Sequence, residues 1–262
     1  MTSIGSVLPV VFLHGVRVSG TMWHPVMRAL DAGPARRRTA APDLPGHGRR
    51  RGERFTMDGA VGAAAAAIDE LGGRALLVGL STGGYVSIAT AARHPEKVAG
   101  VLALGCTARP RGVYASLLRR QFHLGARHPE TAERLSVRGF RRVLSAPAAA
   151  AMSAGGLSCE AMGDVADAVT ATDPVALLAD YPGPVWLVNG SRDPFRGDER
   201  AFLAACRDGR LAVWPGLGHL STLSDPQAVA RTVQDLAAVV EHRGCAAGQG
   251  PGARQHRGLF AG

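Results

Sequence analysis

The sequence predicts an α/β fold in which a mostly parallel β-sheet is flanked by helices. The first observation is that short apolar runs alternate with helix-like segments, as in successive βαβ units. The second is residues 98–105, whose unbroken apolar sequence is typical of a strand buried on both faces. The third is size, because 262 residues, 46% of them hydrophobic, suffice for one domain with a large core. A sheet of this kind binds its ligands beyond the carboxyl ends of its strands.

The individual elements follow from this alternation. Short apolar runs predict strands at residues 7–13, 39–42, 75–79, 98–105, 185–189 and 211–214. Segments with helical character lie between or after them, at residues 23–30, 57–71, 85–93, 199–206 and 226–241. Right-handed crossovers through such helices keep neighbouring strands parallel.

The segment 111–180 interrupts the alternation. It is rich in Ala, Arg and Leu, has no convincing strand, and contains helix-like stretches at residues 115–124, 130–144 and 164–170. We expect a helical lid that lies over the strand ends. Residues 243–262 are rich in Gly and lack periodicity, which is typical of a disordered tail. The predicted organisation is therefore a core of residues 1–110 and 181–242, a lid insertion of 111–180 and a tail of 243–262.

Composition narrows the function classes. The formal net charge is +9, and almost all the basic residues are arginines, since Lys97 is the sole lysine. The basic runs at 36–38 and 49–51 are not interleaved with aromatic residues. We therefore expect no nucleic-acid partner. The four cysteines are far apart and show no CxxC spacing, so no metal site is expected. No signal peptide is evident, and no apolar run approaches the roughly 20 residues that span a bilayer, so we expect a cytoplasmic protein without a membrane partner.

The most informative motif places Ser81 between Gly79 and Gly83. It follows the apolar run 75–78 and precedes the helix-like segment 85–93. A sharp turn from strand to helix strains the backbone at the serine and exposes its Oγ atom, and only small neighbours let the flanking backbones pass so closely. This is the geometry that a nucleophilic serine needs.

Two further residues follow later predicted strands. Asp193 comes after the run 185–189, and His219 comes after the run 211–214. Parallel strands bring the loops at their carboxyl ends to one edge of the sheet, where a serine, an imidazole and a carboxylate can act together.

In this order the motifs resemble those of the α/β-hydrolase fold superfamily, in particular its small, lidded, single-domain members. The resemblance spans residues 7–242. It rests on His14-Gly15, Trp23, the DLPGHG turn at 43–48, the serine turn, the NGSRD turn at 189–193 and the GLGH turn at 216–219.

The resemblance implies a serine hydrolase that cleaves an ester, thioester or related acyl bond of a small molecule, without a cofactor. Ser81 would attack the acyl carbon and form an acyl-enzyme. His219 would act as general base, and Asp193 would hold the imidazole in place. The backbone N–H groups of Val16 and Thr82 would form the oxyanion hole.

The residues expected to contact substrate surround these positions. They are His14, Gly15, Trp23, Tyr114, Phe122, Phe140 and Leu220. Thr82 departs from the family, which more often has an unbranched Met, Gln or Leu here, and its smaller, polar side chain predicts an altered acyl pocket beside the nucleophile. The pairs Arg119-Arg120 and Arg141-Arg142 are either solvated helix faces or a rim for an anionic carrier, such as a phosphopantetheine arm or coenzyme A.

Several assignments have alternatives. His14 and His47 are favoured as organisers of their loops rather than as catalysts. Asp43 competes with Asp193 as the acid, but it precedes the serine and is favoured as a turn residue. At the level of function, the alternatives are an acyltransferase, lyase or other tailoring enzyme on the same fold, and a ligand-binding protein on a hydrolase scaffold. The substrate and the oligomeric state are left open.

Overall fold

The computed structural model describes residues 7–33 and 36–248, without the side chains of Tyr114 and of residues 243–248. Its strands are β1 (Val10–Leu13), β2 (Thr39–Ala40), β3 (Ala75–Leu80), β4 (Val98–Leu104), β5 (Pro184–Gly190) and β6 (Asp208–Trp214). They form one sheet with the order β2-β1-β3-β4-β5-β6. Every pairing between neighbours is parallel, so the predicted fold class is confirmed.

The register aligns the carboxyl ends of the central strands. Leu13 of β1 pairs with Gly79 of β3, and Gly79 pairs in turn with Ala103 of β4. Both β3 and β4 are buried along their full length, which explains their continuous apolar sequences. The loops that follow these strands therefore emerge side by side at one edge of the sheet.

Helices cover both faces of the sheet. The α-helices of the described residues are α1 (His24–Asp31), α2 (Met57–Glu70), α3 (Thr82–Arg93), α4 (Gly112–Arg127), α5 (Pro129–Val143), α6 (Ala146–Ser153), α7 (Met162–Thr170), α8 (Pro174–Asp180), α9 (Glu199–Ala205) and α10 (Pro226–Gly248). Those that cover the sheet are α1 and α10 on one face and α2, α3, α8 and α9 on the other. Successive strand residues point to opposite faces: Val10 and Phe12 pack with α1 and α10, whereas Val11 and Leu13 belong to the core beneath α2, α3, α8 and α9.

The segment between β4 and β5 is helical, as the sequence indicates. The predicted stretches 115–124 and 164–170 fall within α4 and α7, the stretch 130–144 runs one residue past the end of α5, and the structure adds α6 and α8. α4 packs on α5 and α7, but α8 packs on α3 and α9, and its Leu178 is part of the core. α4–α7 thus form the part that stands apart from the sheet, whereas α8 joins the layer below it.

The boundaries of several helices follow from local chemistry. The Asp173 side chain accepts hydrogen bonds from the backbone N–H groups of Val175 and Ala176, and Asp225 accepts one from Ala228 at 2.9 Å. Such caps stabilise a helix by about 1 kcal/mol. α10 continues to Gly248, past the predicted start of the tail at residue 243, and residues 249–262 lie outside the described part. Within the described residues, no helix combines the length and apolar character needed to cross a membrane.

Candidate active site

Ser81 stands at the junction of β3 and α3 in a backbone conformation that non-glycine residues rarely adopt. Its φ is 56° and its ψ is −118°. The Ser81 N–H donates to the carbonyl of Leu104 at 2.8 Å, and the Ser81 carbonyl accepts from the N–H groups of Gly84 and Tyr85. The turn therefore holds a strained residue through backbone bonds on both sides, with its side chain partly exposed.

Three glycines make room for this turn. A Cβ atom at Gly79 would overlap the carbonyl of Gly83, and one at Gly83 would overlap the carbonyl of Leu13. At Gly84, a Cβ would collide with the Sγ atom of Cys106. The spacing of small residues that singled out the motif in the sequence is thus a steric requirement for the approach of α3 to β1 and β4.

Asp193 and His219 form a hydrogen-bonded pair at the same edge. The Nδ1 atom of His219 lies 2.9 Å from Oδ2 of Asp193, whose side chain is completely buried. The other oxygen, Oδ1, accepts from the backbone N–H of Phe195 at 2.8 Å, and the Phe195 ring packs 4.7 Å from the imidazole. Because the carboxylate accepts the Nδ1 proton, Nε2 is the ring nitrogen left to act as a base. Within the described residues, Nε2 has no hydrogen-bond partner.

Close backbone approaches bring the loops together. Gly190 ends β5 at a place where a Cβ would overlap the carbonyl of Leu217, next to the histidine loop. Gly105 follows β4 with φ 59°, and a Cβ there would lie 2.8 Å from Nδ1 of His219 and 2.9 Å from Oδ2 of Asp193. Ser81 is bonded to Leu104 and His219 lies against Gly105, so the serine turn and the imidazole contact consecutive residues at the end of β4.

The structure joins Ser81 to this pair by position rather than by a direct bond. No hydrogen bond from the Oγ atom of Ser81 is present among the described residues. Catalytic hydrogen bonds in ligand-free sites are often long and tighten when substrate binds.

Backbone donors are available beside the serine. Among the described residues, the N–H groups of Val16 and Thr82 have no hydrogen-bond acceptor. Thr82 is the first residue of α3, so its N–H lies at the positive end of the helix dipole. Gly15, next to Val16, approaches so closely that a Cβ there would lie 3.8 Å from the Cβ of Ser81. Both unpaired N–H groups therefore belong to residues next to or near Ser81.

His14 is a structural residue, so its expected contact with substrate is corrected. It is fully buried, its Nδ1 bonds to the carbonyl of Gly15 at 2.8 Å, and its Nε2 accepts from the N–H of Leu44 at 2.9 Å. Burial, with a smaller contribution from His47, lowers the pKa of His14 to about 3. With both ring nitrogens engaged, this neutral imidazole ties the loop after β1 to the loop after β2.

A cavity opens beside Ser81, between the strand ends and helices α4 and α7. It holds about 610 Å³ of space free of protein atoms, part of it open to solvent. Its residues are mostly apolar or small: Ser81, Thr82, Tyr85, Gly105, Ala108, Arg109, Pro110, Ala115, Leu118, Arg119, Phe122, Val165, Ala166, Val169, Thr170 and Phe195. Phe122 is thus placed where a substrate-binding residue was expected.

The other expected contact residues lie elsewhere. Phe140 and Leu220 line a separate groove with Arg17 between α4 and α5. Trp23 is fully buried against Phe12, with ring centroids 5.1 Å apart, and has no surface to offer a substrate, so that expectation is corrected. The side chain of Tyr114 lies outside the described part.

Sequence reasoning missed two cavity residues that had a usable signal. Phe195 comes shortly after Asp193, and Arg109 comes shortly after β4, so both follow strand ends where ligands bind. As for metals, the described residues contain no group of three or more His, Cys, Asp or Glu side chains able to hold an ion.

Comparison with known families identifies the family of this chain. A family model described as the alpha/beta hydrolase family matches residues 10–232. The chain belongs to the alpha/beta hydrolase family. The sheet, the serine turn and the Asp193–His219 pair all lie within the matched range.

Relatives of this hydrolase include esterases. A pimeloyl-(acyl-carrier protein) methyl ester esterase from Aromatoleum aromaticum is 30% identical over 248 residues, which cover 86% of this chain and 96% of the relative. A malate-bound thermophilic esterase from Thermogutta terrifontis has a TM-score of 0.72 at 25% identity, covering 90% of this chain and 92% of that one. The fold is also that of E-2-(acetamidomethylene)succinate hydrolase, with a TM-score of 0.73 at 23% identity over 89% of this chain and 92% of the other. The chain is therefore an esterase-like hydrolase.

Proposed function

We propose that the protein is a serine hydrolase that cleaves an ester, thioester or related acyl bond of a small molecule through an acyl-enzyme on Ser81. One observation carries the proposal: a strained serine stands beside a hydrogen-bonded His219–Asp193 pair at the open edge of the sheet. A serine that only closed a turn would not need that pair as a neighbour.

In the first step, the Oγ atom of Ser81 attacks the acyl carbon while Nε2 of His219 takes the hydroxyl proton. The imidazole becomes positively charged, and the buried carboxylate of Asp193 stabilises it through the bond to Nδ1. The same bond fixes the tautomer that leaves Nε2 free to accept.

The carbonyl oxygen gains negative charge as the tetrahedral intermediate forms. The N–H groups of Val16 and Thr82 are proposed to donate to it, since they have no acceptor among the described residues. Loss of one such donor typically costs about 3 kcal/mol of transition-state stabilisation.

The intermediate then collapses. The bond from the acyl carbon to the leaving oxygen or sulfur breaks, and His219 returns the proton to that atom. A water molecule next attacks the acyl-enzyme with His219 again as base, which releases the acid and restores Ser81.

The mostly apolar cavity supports an aliphatic acyl substrate. The curated relative acts on a carrier-linked methyl ester by its name, which supports an ester and is compatible with a carrier-linked acyl group here. The exposed side chains of Arg120 in the middle of α4 and of Arg141 and Arg142 in the last turn of α5 would suit the anionic part of such a carrier.

Ser81→Ala tests the proposal directly. We expect wild type to hydrolyse p-nitrophenyl esters of short to medium chain and to label with a fluorophosphonate at Ser81. The alanine variant should lose labelling and at least about a thousandfold in kcat.

The matched control is Ser153→Ala at the end of α6, which removes a hydroxyl that bonds within its own helix and does not line the cavity, and which should retain labelling and turnover. If wild type neither labels nor hydrolyses any ester of the series, the chain is a binding protein on a hydrolase scaffold instead. If labelling occurs but acyl groups pass only to an added alcohol or thiol, it is an acyltransferase.

A further inference from the structure

The cavity beside Ser81 contains a cation without a counter-ion. Arg109 lines this cavity together with Thr82 and Phe195. Its Nε atom is buried and has no hydrogen-bond partner. Among the described residues, no carboxylate lies within ion-pair distance of the Arg109 guanidinium.

The neighbouring arginines differ in this respect. Arg119, the other arginine at the cavity, is bonded to Asp167 of α7. Arg196, close to the acid loop, is bonded to Glu199. The cavity lining itself includes no aspartate or glutamate among the described residues. Because a guanidinium stays charged in proteins, Arg109 leaves this space with an unneutralised positive charge.

The position of Arg109 is fixed although its side chain is unpaired. Its backbone N–H donates to Oδ2 of Asp198 at 2.7 Å, and the N–H of Asp198 donates to the carbonyl of Thr107 at 2.9 Å. The hydroxyl of Tyr85 donates to the carbonyl of Ala108 at 2.6 Å. These hydrogen bonds hold the backbone segment that carries Arg109, whereas its guanidinium has no hydrogen-bond partner among the described residues.

Arg109 is only partly buried, with its Nε atom shielded from solvent and unpaired, so an anion that enters the cavity can supply the partner that this group lacks. The planar fork of guanidinium N–H donors matches the two oxygens of a carboxylate, and it would orient such a group at a fixed distance from the serine. The mostly apolar wall around it suits a short aliphatic chain between the two ends.

We propose that Arg109 binds a carboxylate of the substrate, so that the preferred substrates are esters or thioesters that also carry a free carboxylate. The reaction in this inference rests on the proposed function, whereas the binding of a carboxylate does not. Arg109 is a specificity-determining residue in this role, and the reacting atoms stay with Ser81 and His219.

Two pairs of substrates separate the possible locations of the carboxylate. Monomethyl adipate against methyl hexanoate places it on the acyl side, and 5-acetoxypentanoate against pentyl acetate places it on the alcohol side. The measurement is the ratio of kcat/KM within each pair, for wild type, Arg109→Gln, Arg109→Lys and Arg111→Gln. Arg111 is the matched control, because it is exposed and lines a different groove with the same charge.

In one of the two pairs, we expect wild type to prefer the carboxylate substrate and Arg109→Gln to lower that ratio by about ten- to a hundredfold, the usual effect of losing a charged hydrogen bond. Arg109→Lys should retain part of the preference, and Arg111→Gln should retain all of it. Ratios that are the same in wild type and Arg109→Gln for both pairs would overturn the inference.

A binding measurement keeps this test independent of turnover. Adipate at millimolar concentration should raise the Tm of wild type and of Arg111→Gln more than hexanoate does, and this difference should vanish in Arg109→Gln. An adipate effect that persists in Arg109→Gln rejects the assignment. If wild type cleaves no ester, the proposed function fails and the thermal shift alone decides whether Arg109 binds carboxylates.

Discussion

Two regions at the carboxyl edge of the sheet each contain histidine and aspartate side chains, and these side chains bond in opposite ways. After β1 and β2, His14 and Asp43 are bonded to the backbone: Asp43 accepts from the N–H groups of Gly20 and Arg49, both at 2.9 Å. After β6 and β5, His219 and Asp193 are bonded to each other. The first region closes loops, and the second leaves a ring nitrogen available for chemistry.

The difference shows which feature separates a structural histidine from a candidate base. Burial differs between the two histidines, since His14 is fully buried and the side chain of His219 is 18% exposed, but burial does not say which ring nitrogen is available. The deciding feature is how many ring nitrogens the protein itself occupies. His14 has both occupied, whereas His219 has only Nδ1 occupied within the described residues.

The largest effect is expected when Asp193 and Asp43 are each replaced by asparagine, which tests whether the two regions differ in function. Asp193→Asn removes the charge that supports the imidazolium and should lower kcat by about a thousand- to ten-thousandfold. Asp43→Asn should change kcat only a few fold, because its bonds are to backbone N–H groups of a turn. Steady-state kinetics on one ester decides, with circular dichroism to confirm folding. The reverse ranking would make Asp43 the acid.

A smaller effect is expected from adding a methyl group at Gly105, next to the His219–Asp193 pair. In Gly105→Ala, the new Cβ would lie 2.8 Å from Nδ1 of His219, so the ring must shift. A displacement of this order should reduce kcat/KM by about a hundredfold. The matched control is Gly112→Ala, which has a positive φ of 82° but nothing within 4 Å of its Cβ. It carries the backbone strain without the contact and should keep its activity; equal losses in both variants would attribute the effect to strain.

The smallest expected effect concerns stability rather than rate. The pKa of His14 is lowered from 6.5 to about 3, mainly by burial, so between these values the unfolded chain binds a proton that the folded chain does not. The contribution of His14 to the free energy of unfolding is therefore fully present above about pH 6.5 and is lost as the pH falls towards 3. At pH 5 the loss amounts to about 2 kcal/mol. Burial also lowers the pKa of His47, which adds to the fall in the same direction.

Urea unfolding of wild type and His14→Gln at pH 7 and pH 5 measures this term. The variant should be less stable at pH 7, because the bonds to Gly15 and Leu44 weaken, and its loss of stability between the two pH values should be smaller. An unchanged pH dependence in His14→Gln would show that other groups account for it. Activity per folded molecule at pH 7 should stay within a few fold of wild type.

The sequence predicted the positions that depend on strand order and not those that depend on side-chain direction. Ser81, Asp193 and His219 follow three strands of one parallel sheet, and their loops must meet at one edge. Trp23 and Phe140 were expected at the substrate, but a residue type does not reveal which way a loop or helix turns it. Arg109 was overlooked because a lone arginine in an arginine-rich chain has no pattern, although its place after β4 satisfied the rule used for the others.

One feature of the hydrogen bonds around the serine turn bears on how the protein can be redesigned. Ser81, Asp193 and His219 are bonded to strand ends and adjoining loops, and within the described residues none of the three is bonded to α4–α7. The residues of the proposed chemistry are thus held by the sheet and its loops, whereas much of the cavity wall belongs to α4 and α7. Exchanging residues 112–170 for the corresponding segment of a relative should alter substrate range while leaving the reactivity of Ser81 towards a fluorophosphonate intact.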